Sequence, residues 1–318
     1  MTNLSTAIQE LKTSIEKTIF GKKDVIDLLL TCMLAEGHTL IEDVPGVGKT
    51  TLASSLAKSI DGSFQRIQFT SDLLPSDMIG VPIYNENQRS FEFHPGPIFA
   101  NIVLADEINR TTPKTQSALL EAMQDGQVTV DRTTHELPRP FMVIATQNPI
   151  EFRGTYALPE SQMDRFMMKL HMGYPEPDQE LRVLKMRTLG ENHNDIKPIL
   201  DAKKILTMQE QVKLIRVEES VARYMLNIIS STRNSRTIDL GVSPRGSVAL
   251  YRASQAYAFV QGRSYVTPDD VKKLCVPVLS HRILINRQRD LKDGVNGYTF
   301  QTEEDLLFDV VNQIDIPV

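Results

Sequence analysis

The sequence predicts an α/β protein with a doubly wound parallel sheet, followed by an all-helical domain. In the first half, short apolar runs alternate with helical stretches, which is the pattern of parallel strands joined by helices. Four runs are predicted strands: HTLIED, FQRIQF, NIVLAD and FMVIAT. After GYPEPDQE, which begins at Gly173, the strand pattern stops and helical periodicity continues. We therefore predict an α/β domain over residues 1–172 and a helical domain over residues 173–318.

The first predicted element is an N-terminal amphipathic helix. Its apolar residues recur on one helical face: Leu4, Ile8, Leu11 and Ile15. This segment lacks the apolar run of a signal peptide, and no stretch reaches the length of a membrane span. Because Cys32 and Cys275 are far apart and outside any metal-binding spacing, a reducing cytoplasm is the expected compartment.

Two segments interrupt the strand–helix alternation. GVPIYNENQRSFEFHPG, residues 80–96, places alternating apolar residues on either side of a polar Asn-Glu-Asn turn. GQVTVDRTTHELPRPF, residues 126–141, has the same form around a polar turn at 131–134. Both patterns predict β-hairpins, and both hairpins are insertions that the core sheet does not need.

In the second domain, the helix starts are marked by capping residues. The predicted starts are Ser243-Pro244, Thr267-Pro268 and Thr302-Glu303. A hydroxyl side chain followed by proline or acidic residues is the usual beginning of an α-helix, since it satisfies N–H groups that have no partner within the helix.

The segment HTLIEDVPGVGKTTLA, residues 38–53, predicts a phosphate-binding loop between a strand and a helix. It contains most of the pattern G-x-x-x-x-G-K-[ST], but Asp43 stands where the first glycine is expected. That position lies at the strand–loop junction, where aspartate tolerates unusual backbone angles better than most residues. We therefore predict a working phosphate loop in which Lys49 reaches the β- and γ-phosphates and Thr50 binds Mg²⁺.

Two later strands end in polar residues that fit the same site. The run NIVLAD ends at Asp106, which is followed by Glu107. Uncompensated charge is costly at the end of a buried strand, so we assign Asp106 to Mg²⁺ and Glu107 to the general base that activates water. The run FMVIAT is followed by Gln147 and Asn148, and Asn148 is expected to contact the attacking water or the γ-phosphate.

With these three strand ends in place, the sequence resembles an AAA+ ATPase, with DVPGVGKT as Walker A, VLADE as Walker B and ATQNP as sensor 1. Three further blocks resemble the MoxR family in particular: NRTTPKTQSALLEAMQDGQVTV, PRPFMVIATQNPIEFRGTYALPESQMDRF and GVSPRGSVAL. The resemblance covers essentially the whole chain. It implies an AAA+ P-loop core with two hairpin inserts and a helical lid domain, and Asp43 is the one departure in the phosphate loop.

The resemblance also implies roles for individual residues. Ile19, Phe20 and Gly21 would line the adenine pocket. The nucleotide-binding residues of the loop would be Pro45, Gly46, Val47, Gly48, Lys49, Thr50 and Thr51. The hairpins match the helix 2 insert and the pre-sensor 1 insert, which in a ring would face the central channel, although both could equally be solvated protrusions.

Two arginines match catalytic positions of the family. Arg165, in PESQMDRF, resembles the arginine finger that reaches the γ-phosphate of a neighbouring subunit, with Arg153 and Arg110 as weaker alternatives. Arg245, in SPRG, matches sensor 2. A cation in the first turn of a helix is mildly disfavoured by the helix dipole, so a phosphate partner would explain Arg245. Whether it acts on its own subunit's nucleotide or on a neighbour's is left open.

Several other functions fit the sequence less well. A GTPase is set aside because the chain contains no N-K-x-D guanine-reading motif, although DMIG at residues 77–80 imitates another GTPase element. A DNA-associated motor is the main alternative, but the net charge is −5 and the second hairpin carries Asp131 and Glu136 beside Arg132. A nucleotide-locked scaffold would not need Glu107, and no aromatic pore loop indicates a threading unfoldase.

The sequence thus predicts an Mg²⁺-dependent ATPase that forms a homo-hexameric ring and remodels protein partners. An arginine finger acting across an interface makes hydrolysis depend on assembly. By family analogy, the expected partners are proteins with a von Willebrand factor A domain, including membrane-bound ones, and no nucleic acid is expected.

Overall fold

The computed structural model describes residues 2–149, 155–188, 196–286 and 302–317. Up to residue 188, the helices are α1 Thr2–Glu16, α2 Lys23–Leu34, α3 Lys49–Ser59, α4 Pro75–Ile79, α5 Pro113–Asp125, α6 Glu160–Met163 and α7 Pro177–Thr188. The strands are β1 Thr39–Glu42, β2 Phe64–Gln68, β3 Gly80–Asn85, β4 Ser90–Pro95, β5 Ile102–Asp106, β6 Gln127–Val130, β7 Thr133–Glu136, β8 Met142–Gln147 and β9 Met168–Leu170.

Five strands form one parallel sheet in the order β2-β5-β8-β1-β9. The register sets Glu42 beside Gln147, and Gln68 beside Asp106. Because all five strands run in the same direction, their carboxyl ends meet at one edge of the sheet, where ligands bind in open α/β folds. The four predicted strands are confirmed. The fifth, β9, was missed because a three-residue strand is too short to show periodicity.

Both faces of the sheet are buried, which explains why its central strands are continuous apolar runs. Along β5, Ile102 and Leu104 face one apolar cluster, while Val103 and Ala105 face the other. The first cluster also contains residues of α1, α2 and α3 and continues into the second half of the chain. The boundary at residue 172 remains a prediction, since this apolar core extends across it.

The second half contains helices with a small pair of strands. Its elements are α8 Ala202–Val212, α9 Glu219–Asn234, β10 Ile238–Leu240, α10 Pro244–Val260, α11 Pro268–Leu279, β11 Leu284–Ile285 and α12 Glu303–Asn312. The three predicted capping residues, Ser243, Thr267 and Thr302, each accept a backbone N–H in the first turn of their helix. The prediction of an entirely helical domain is wrong in one detail, because β10 pairs with β11. Strands this short and this far apart in the chain leave no sequence pattern.

Both predicted hairpins are present as antiparallel pairs, β3 with β4 and β6 with β7. They contact each other, because the rings of Phe93 and His135 stack with centroids 3.9 Å apart. On the first hairpin, Tyr84 and Phe91 form an edge-to-face pair whose side chains are largely exposed. Within the described ranges, no helix has the length and apolar character needed to cross a membrane.

Candidate nucleotide-binding site

The loop between β1 and α3 has the backbone shape that a phosphate cradle requires. Gly46 and Gly48 have φ values of 90° and 99°, in the region that side chains disfavour. A Cβ atom added at Gly46 would meet no atom within 4 Å, so backbone conformation rather than space explains this glycine. Within the described part of the chain, no side chain caps α3, and its first-turn N–H groups are therefore left for an anion.

Lys49 lies where the loop and the acidic strand end converge. Its Nζ donates to the carbonyl oxygens of Asp43, at 2.7 Å, and of Val44, at 3.3 Å. Burial lowers the pKa of Lys49, while the nearby carboxylates of Asp106, Asp43 and Glu107 oppose that shift. The lysine and the acid pair predicted from separate motifs thus lie within electrostatic range of one another.

Asp43 has a role that a glycine could not fill. Its Oδ1 accepts the N–H of Val44 at 2.9 Å. Its Oδ2 accepts the N–H groups of Met172 and Gly173, at 2.7 and 2.6 Å. The departure from the usual loop pattern therefore provides a carboxylate that holds the chain immediately after β9.

The carboxylate of Asp106 is paired on both oxygens. Its Oδ1 accepts the hydroxyl of Thr146 at 2.6 Å, and its Oδ2 accepts Nη2 of Arg66 at 2.6 Å. Arg66 lies on the neighbouring strand β2, with its side chain about half exposed at 49%. In this structure, the guanidinium of Arg66 is therefore the cation that pairs with Asp106.

Glu107 has a strained backbone and two side-chain partners. Its φ is 58°, a left-handed conformation that costs about 1–3 kcal/mol for a residue with a side chain. Its N–H donates to the hydroxyl of Thr146 at 2.9 Å, which fixes it beside Asp106. Its Oε2 accepts Nε2 of Gln68 and Nη1 of Arg110, both at 2.8 Å. Such strain concentrates at functional sites, where the surrounding structure supports it.

Asn148 directly follows β8, the strand between β1 and β5. Its side chain is buried, with 7% exposed, and it lines a cavity of about 260 Å³ together with Glu42, Asn109 and Leu158. The structure therefore brings Asn148 to the same sheet edge as Lys49. Its contact with a nucleotide stays a prediction.

A second cavity, of about 390 Å³, lies beside the phosphate loop and is large enough for a nucleoside. Outside the loop, its lining includes Ile19, Phe20, Tyr174 and Leu184. From the loop, the lining residues are Pro45, Gly46, Val47, Gly48 and Thr51. Gly21 lies outside this cavity: it borders a smaller one of about 350 Å³ and packs against the side chain of Gln179 on α7.

Comparisons with known proteins identify the family and agree with the fold. Residues 38–168 match the model of the ATPase family associated with various cellular activities (AAA), and residues 230–303 match the AAA lid domain. A Bacillus subtilis protein, the uncharacterized protein YeaC, is 47% identical over 96% of this chain and 93% of its own. Chaperone MoxR1 of Mycobacterium tuberculosis is 39% identical over 89% of this chain and 76% of its own. The chain belongs to the MoxR family of AAA+ ATPases.

A solved structure agrees with that assignment. The crystal structure of a Cytophaga hutchinsonii protein, for which ATPase activity has been suggested, superposes with a TM-score of 0.88 at 38% identity. The match covers 99% of this chain and 96% of the other. The helical region of this MoxR-family ATPase is accordingly a AAA+ lid, and the family implies that the site binds a nucleotide.

The arginines predicted from the MoxR motifs lie near the seam between core and lid. Arg165 donates from Nη1 to the carbonyl oxygen of Leu120, at 2.8 Å, on α5. Arg245, in the first turn of α10, is half exposed and lies 3.7 Å from the carboxylate of Asp164. The sequence suggested a phosphate as the partner of Arg245, and in this structure the nearby anion is the carboxylate of Asp164 from the same chain. Arg153 lies outside the described residues.

A buried arginine in this seam was missed from the sequence. The side chain of Arg282 is 2% exposed, and its Nε donates to Oδ1 of Asp164 at 2.8 Å. It also donates to the carbonyl oxygens of Phe166 and Met167, at 2.7 and 3.1 Å. Burial lowers its pKa and Asp164 opposes the change. The only signal was a cation inside the apolar run VLSHRILI, which requires a buried partner.

Arg66 and Gln68 were also missed, although both lie in a predicted strand. They are two residues apart and so share one face of β2, beside the acid pair of β5. Polar residues alternating in a strand next to an acidic strand end could have indicated them. Tyr174 and Leu184 could not be found this way, since only the fold places them against the phosphate loop.

Proposed function

We propose that this MoxR-type ATPase binds ATP with Mg²⁺ and hydrolyses it as a ring-forming chaperone for protein partners. The observation that supports it most is the convergence of Lys49 with Asp106 and Glu107, whose carboxylates act on the lysine's pKa. Lys49 begins the helix that follows β1, whereas Asp106 ends β5 and Glu107 follows it, so the lysine and the acid pair are 57 or more positions apart in the chain. Such a grouping of lysine and acid pair suits a bound phosphate chain.

The residues around the loop suit Mg²⁺. No cluster of three or more His, Cys, Asp or Glu side chains among the described residues could hold a metal alone. Mg²⁺ in NTPases needs only one or two protein oxygens, with phosphates and waters completing its shell, and Thr50 with Asp106 supplies such a pair. The ion would neutralise charge on the β- and γ-phosphate oxygens. For Asp106 to contribute, its Oδ2 must give up the hydrogen bonds from Arg66.

The protein's own residues account for the remaining steps. Lys49 would exchange the carbonyl oxygens of Asp43 and Val44 for phosphate oxygens, and the first-turn N–H groups of α3 would complete the cradle. Both described side-chain hydrogen bonds to Glu107 reach Oε2, so we assign Oε1 to the proton of the attacking water.

Isothermal calorimetry with ATP and Mg²⁺ tests the site. Lys49→Ala removes a charged donor to two phosphates, so we expect affinity to fall by about 100-fold or more. Lys58→Ala, in the last turn of the same helix, is the matched control and should bind as the wild type does. Unchanged affinity in Lys49→Ala would refute the phosphate-loop assignment.

We further propose a homo-hexamer in which Arg165 completes a neighbour's site. Its described hydrogen bond goes to Leu120 on α5 rather than to the phosphate loop of its own chain, so a role across an interface is the consistent one. Mixing Arg165→Ala subunits with Lys49→Ala subunits should restore part of the lost hydrolysis, because some interfaces then combine an intact loop with an intact arginine. An absence of rescue at every mixing ratio would count against this role.

The proposed partners are proteins with a von Willebrand factor A domain. The support is the family assignment, in which one relative is named a chaperone, together with the exposed aromatic pair on the first hairpin. Affinity capture with Glu107→Gln in ATP, followed by mass spectrometry, should enrich such proteins relative to Lys49→Ala. Enrichment that disappears on nuclease treatment would favour the DNA-associated motor instead.

A further inference from the structure

We propose that Asp43 is a positioning residue that joins the phosphate loop to the turn after β9, which also lines the nucleoside pocket. This inference rests on the proposed ATP site and adds a residue to it. The carboxylate of Asp43 accepts one N–H from within the loop, at Val44, and two from beyond β9, at Met172 and Gly173. The next residue, Tyr174, lines the pocket. One side chain therefore connects two segments that line the pocket: the phosphate loop and the turn after β9.

The position of Asp43 in the sheet makes this connection direct. β1 and β9 are neighbours, with Ile41 paired to Leu170, so Asp43 and Met172 leave the sheet side by side. At that point the chain after β9 turns through Gly173, whose φ of 62° is left-handed. A turn at the end of an edge strand has N–H groups that the sheet does not satisfy, and the carboxylate supplies the acceptor for two of them.

Asp43 also contacts the residue that would bind phosphate. Its carbonyl oxygen accepts Nζ of Lys49 at 2.7 Å. The main chain of Asp43 thus contacts the phosphate-binding side chain, while its carboxylate holds the turn that leads to Tyr174. Another lining residue holds the same turn, since Nζ of Lys22 donates to the carbonyl oxygen of Tyr174 at 2.8 Å. Without the carboxylate of Asp43, the hydrogen bond from Lys22 would be the remaining described contact that holds this turn to another residue lining the pocket.

This role predicts a selective defect. Asp43→Gly restores the residue usual in such loops, so the cradle should still bind a phosphate chain, but the turn at Met172 and Gly173 loses its acceptor. The affinity for a ligand that contacts only the cradle should therefore fall less than the affinity for a ligand that also contacts the turn after β9. The two probes are tripolyphosphate, which would contact the cradle alone, and ADP, which would contact both the cradle and the nucleoside pocket.

Calorimetry on the full chain should show ADP affinity weakened by about ten-fold in Asp43→Gly, with tripolyphosphate affinity within about three-fold of wild type. Asp43→Asn keeps one acceptor oxygen and should be intermediate for ADP. Asp61→Gly, beyond the other end of α3, is the matched control for the loss of an aspartate side chain and should leave both affinities unchanged. Asp43→Asn also serves if the glycine variant fails to fold.

The outcomes separate this inference from the proposed function. Wild-type ADP affinity in both Asp43 variants would overturn it, and so would an equal loss of ADP and tripolyphosphate, because the carboxylate would then serve the cradle alone. A wild-type protein that binds neither probe would refute the ATP site itself. Selective loss of ADP, partly rescued in Asp43→Asn, is the result that supports Asp43 as the link.

Discussion

Two strands of the sheet end in the same kind of acidic pair, yet the pairs are held differently. β1 ends at Glu42, which is followed by Asp43, and β5 ends at Asp106, which is followed by Glu107. At the end of β1, Asp43 binds three backbone N–H groups and Glu42 pairs with Lys169 at 3.2 Å. At the end of β5, the described charged and amide partners of the two carboxylates are side chains. Arg66 and Gln68 come from β2, and Arg110 comes from the turn after β5.

The difference lies in how easily each pair can change partners. The N–H groups that bind Asp43 belong to the main chain of the phosphate loop and of the turn after β9, so they can leave the carboxylate only if the main chain itself moves. The carboxylates of Asp106 and Glu107 are only 13% and 21% exposed, but Arg66 and Arg110 are about half exposed, so water can solvate the two guanidinium groups when they leave the carboxylates to a metal ion and a water. An acidic pair after a buried strand therefore does not identify a catalytic site by itself. The type of partner distinguishes an anchor from a pair that can bind metal and water.

Glu107→Gln tests this comparison with the largest expected effect. Removing a general base typically lowers turnover by about 10²- to 10⁴-fold, while ATP binding should persist because the cradle is intact. The matched variant at the other strand end, Glu42→Gln, should keep turnover within about three-fold. Phosphate release measured beside ATP affinity checks both. Wild-type turnover in Glu107→Gln would exclude Glu107 as the base.

Arg66→Ala tests whether the partner of Asp106 competes with a metal ion. Removing a positive charge next to the expected Mg²⁺ position is worth about 1 kcal/mol or more, so about five-fold less Mg²⁺ should be needed for half-maximal ATP affinity. Lys169→Ala, which removes the cation beside Glu42, should leave that concentration unchanged. The measurement is ATP affinity across a Mg²⁺ titration. A higher Mg²⁺ requirement in Arg66→Ala would mean that Arg66 assists the site instead.

Gln68→Leu should change turnover less than Glu107→Gln does, and it should raise turnover rather than lower it. Gln68 holds Oε2 of Glu107 at 2.8 Å, so its loss frees the carboxylate for water and should raise basal turnover about three-fold, within the range of one hydrogen bond. Gln65→Leu, on the same strand but the opposite face, is the control. Single-turnover hydrolysis measures the step directly. A fall in turnover would show that Gln68 positions Glu107 for reaction.

The sequence predicted the features that depend on local pattern. The sheet strands with four or more residues, both hairpins and the capping residues Ser243, Thr267 and Thr302 follow from periodicity and turn chemistry. The grouping of Lys49 with the acid pair also follows, because parallel strands share one carboxyl edge. The residues whose partners are distant could not be found. Arg282 and Tyr174 acquire their roles only where the lid segments meet the core, and no local pattern encodes that meeting.

The smallest expected effect concerns the link from the β1 end to the lid. His171 contacts the carbonyl oxygen of Glu42 through Nδ1, at 2.7 Å, and the carboxylate of Glu304 on α12 through Nε2, at 3.0 Å. Both partners are acceptors, so both bonds form only when the ring carries two protons. The hydrogen bond with Glu304 accordingly raises the pKa of His171 above its ordinary value of 6.5 and lowers that of Glu304 to about 2.

The sign of the pH dependence follows from these shifts. The stabilisation from His171 is complete below pH 6.5 and is lost as the pH rises through its raised pKa, while that from Glu304 is lost below pH 4.5, toward about 2. Glu304→Gln should therefore lower the free energy of unfolding most between these limits, by less than about 1 kcal/mol because both side chains are partly exposed. Urea unfolding at roughly pH 5.5 and pH 8.5 should show the difference shrinking at the higher pH, with Asp309→Asn on the same helix as control. An equal difference at both pH values would mean that His171 is neutral and that Glu304 is held by its ion pair with Lys169 of β9, at 3.3 Å.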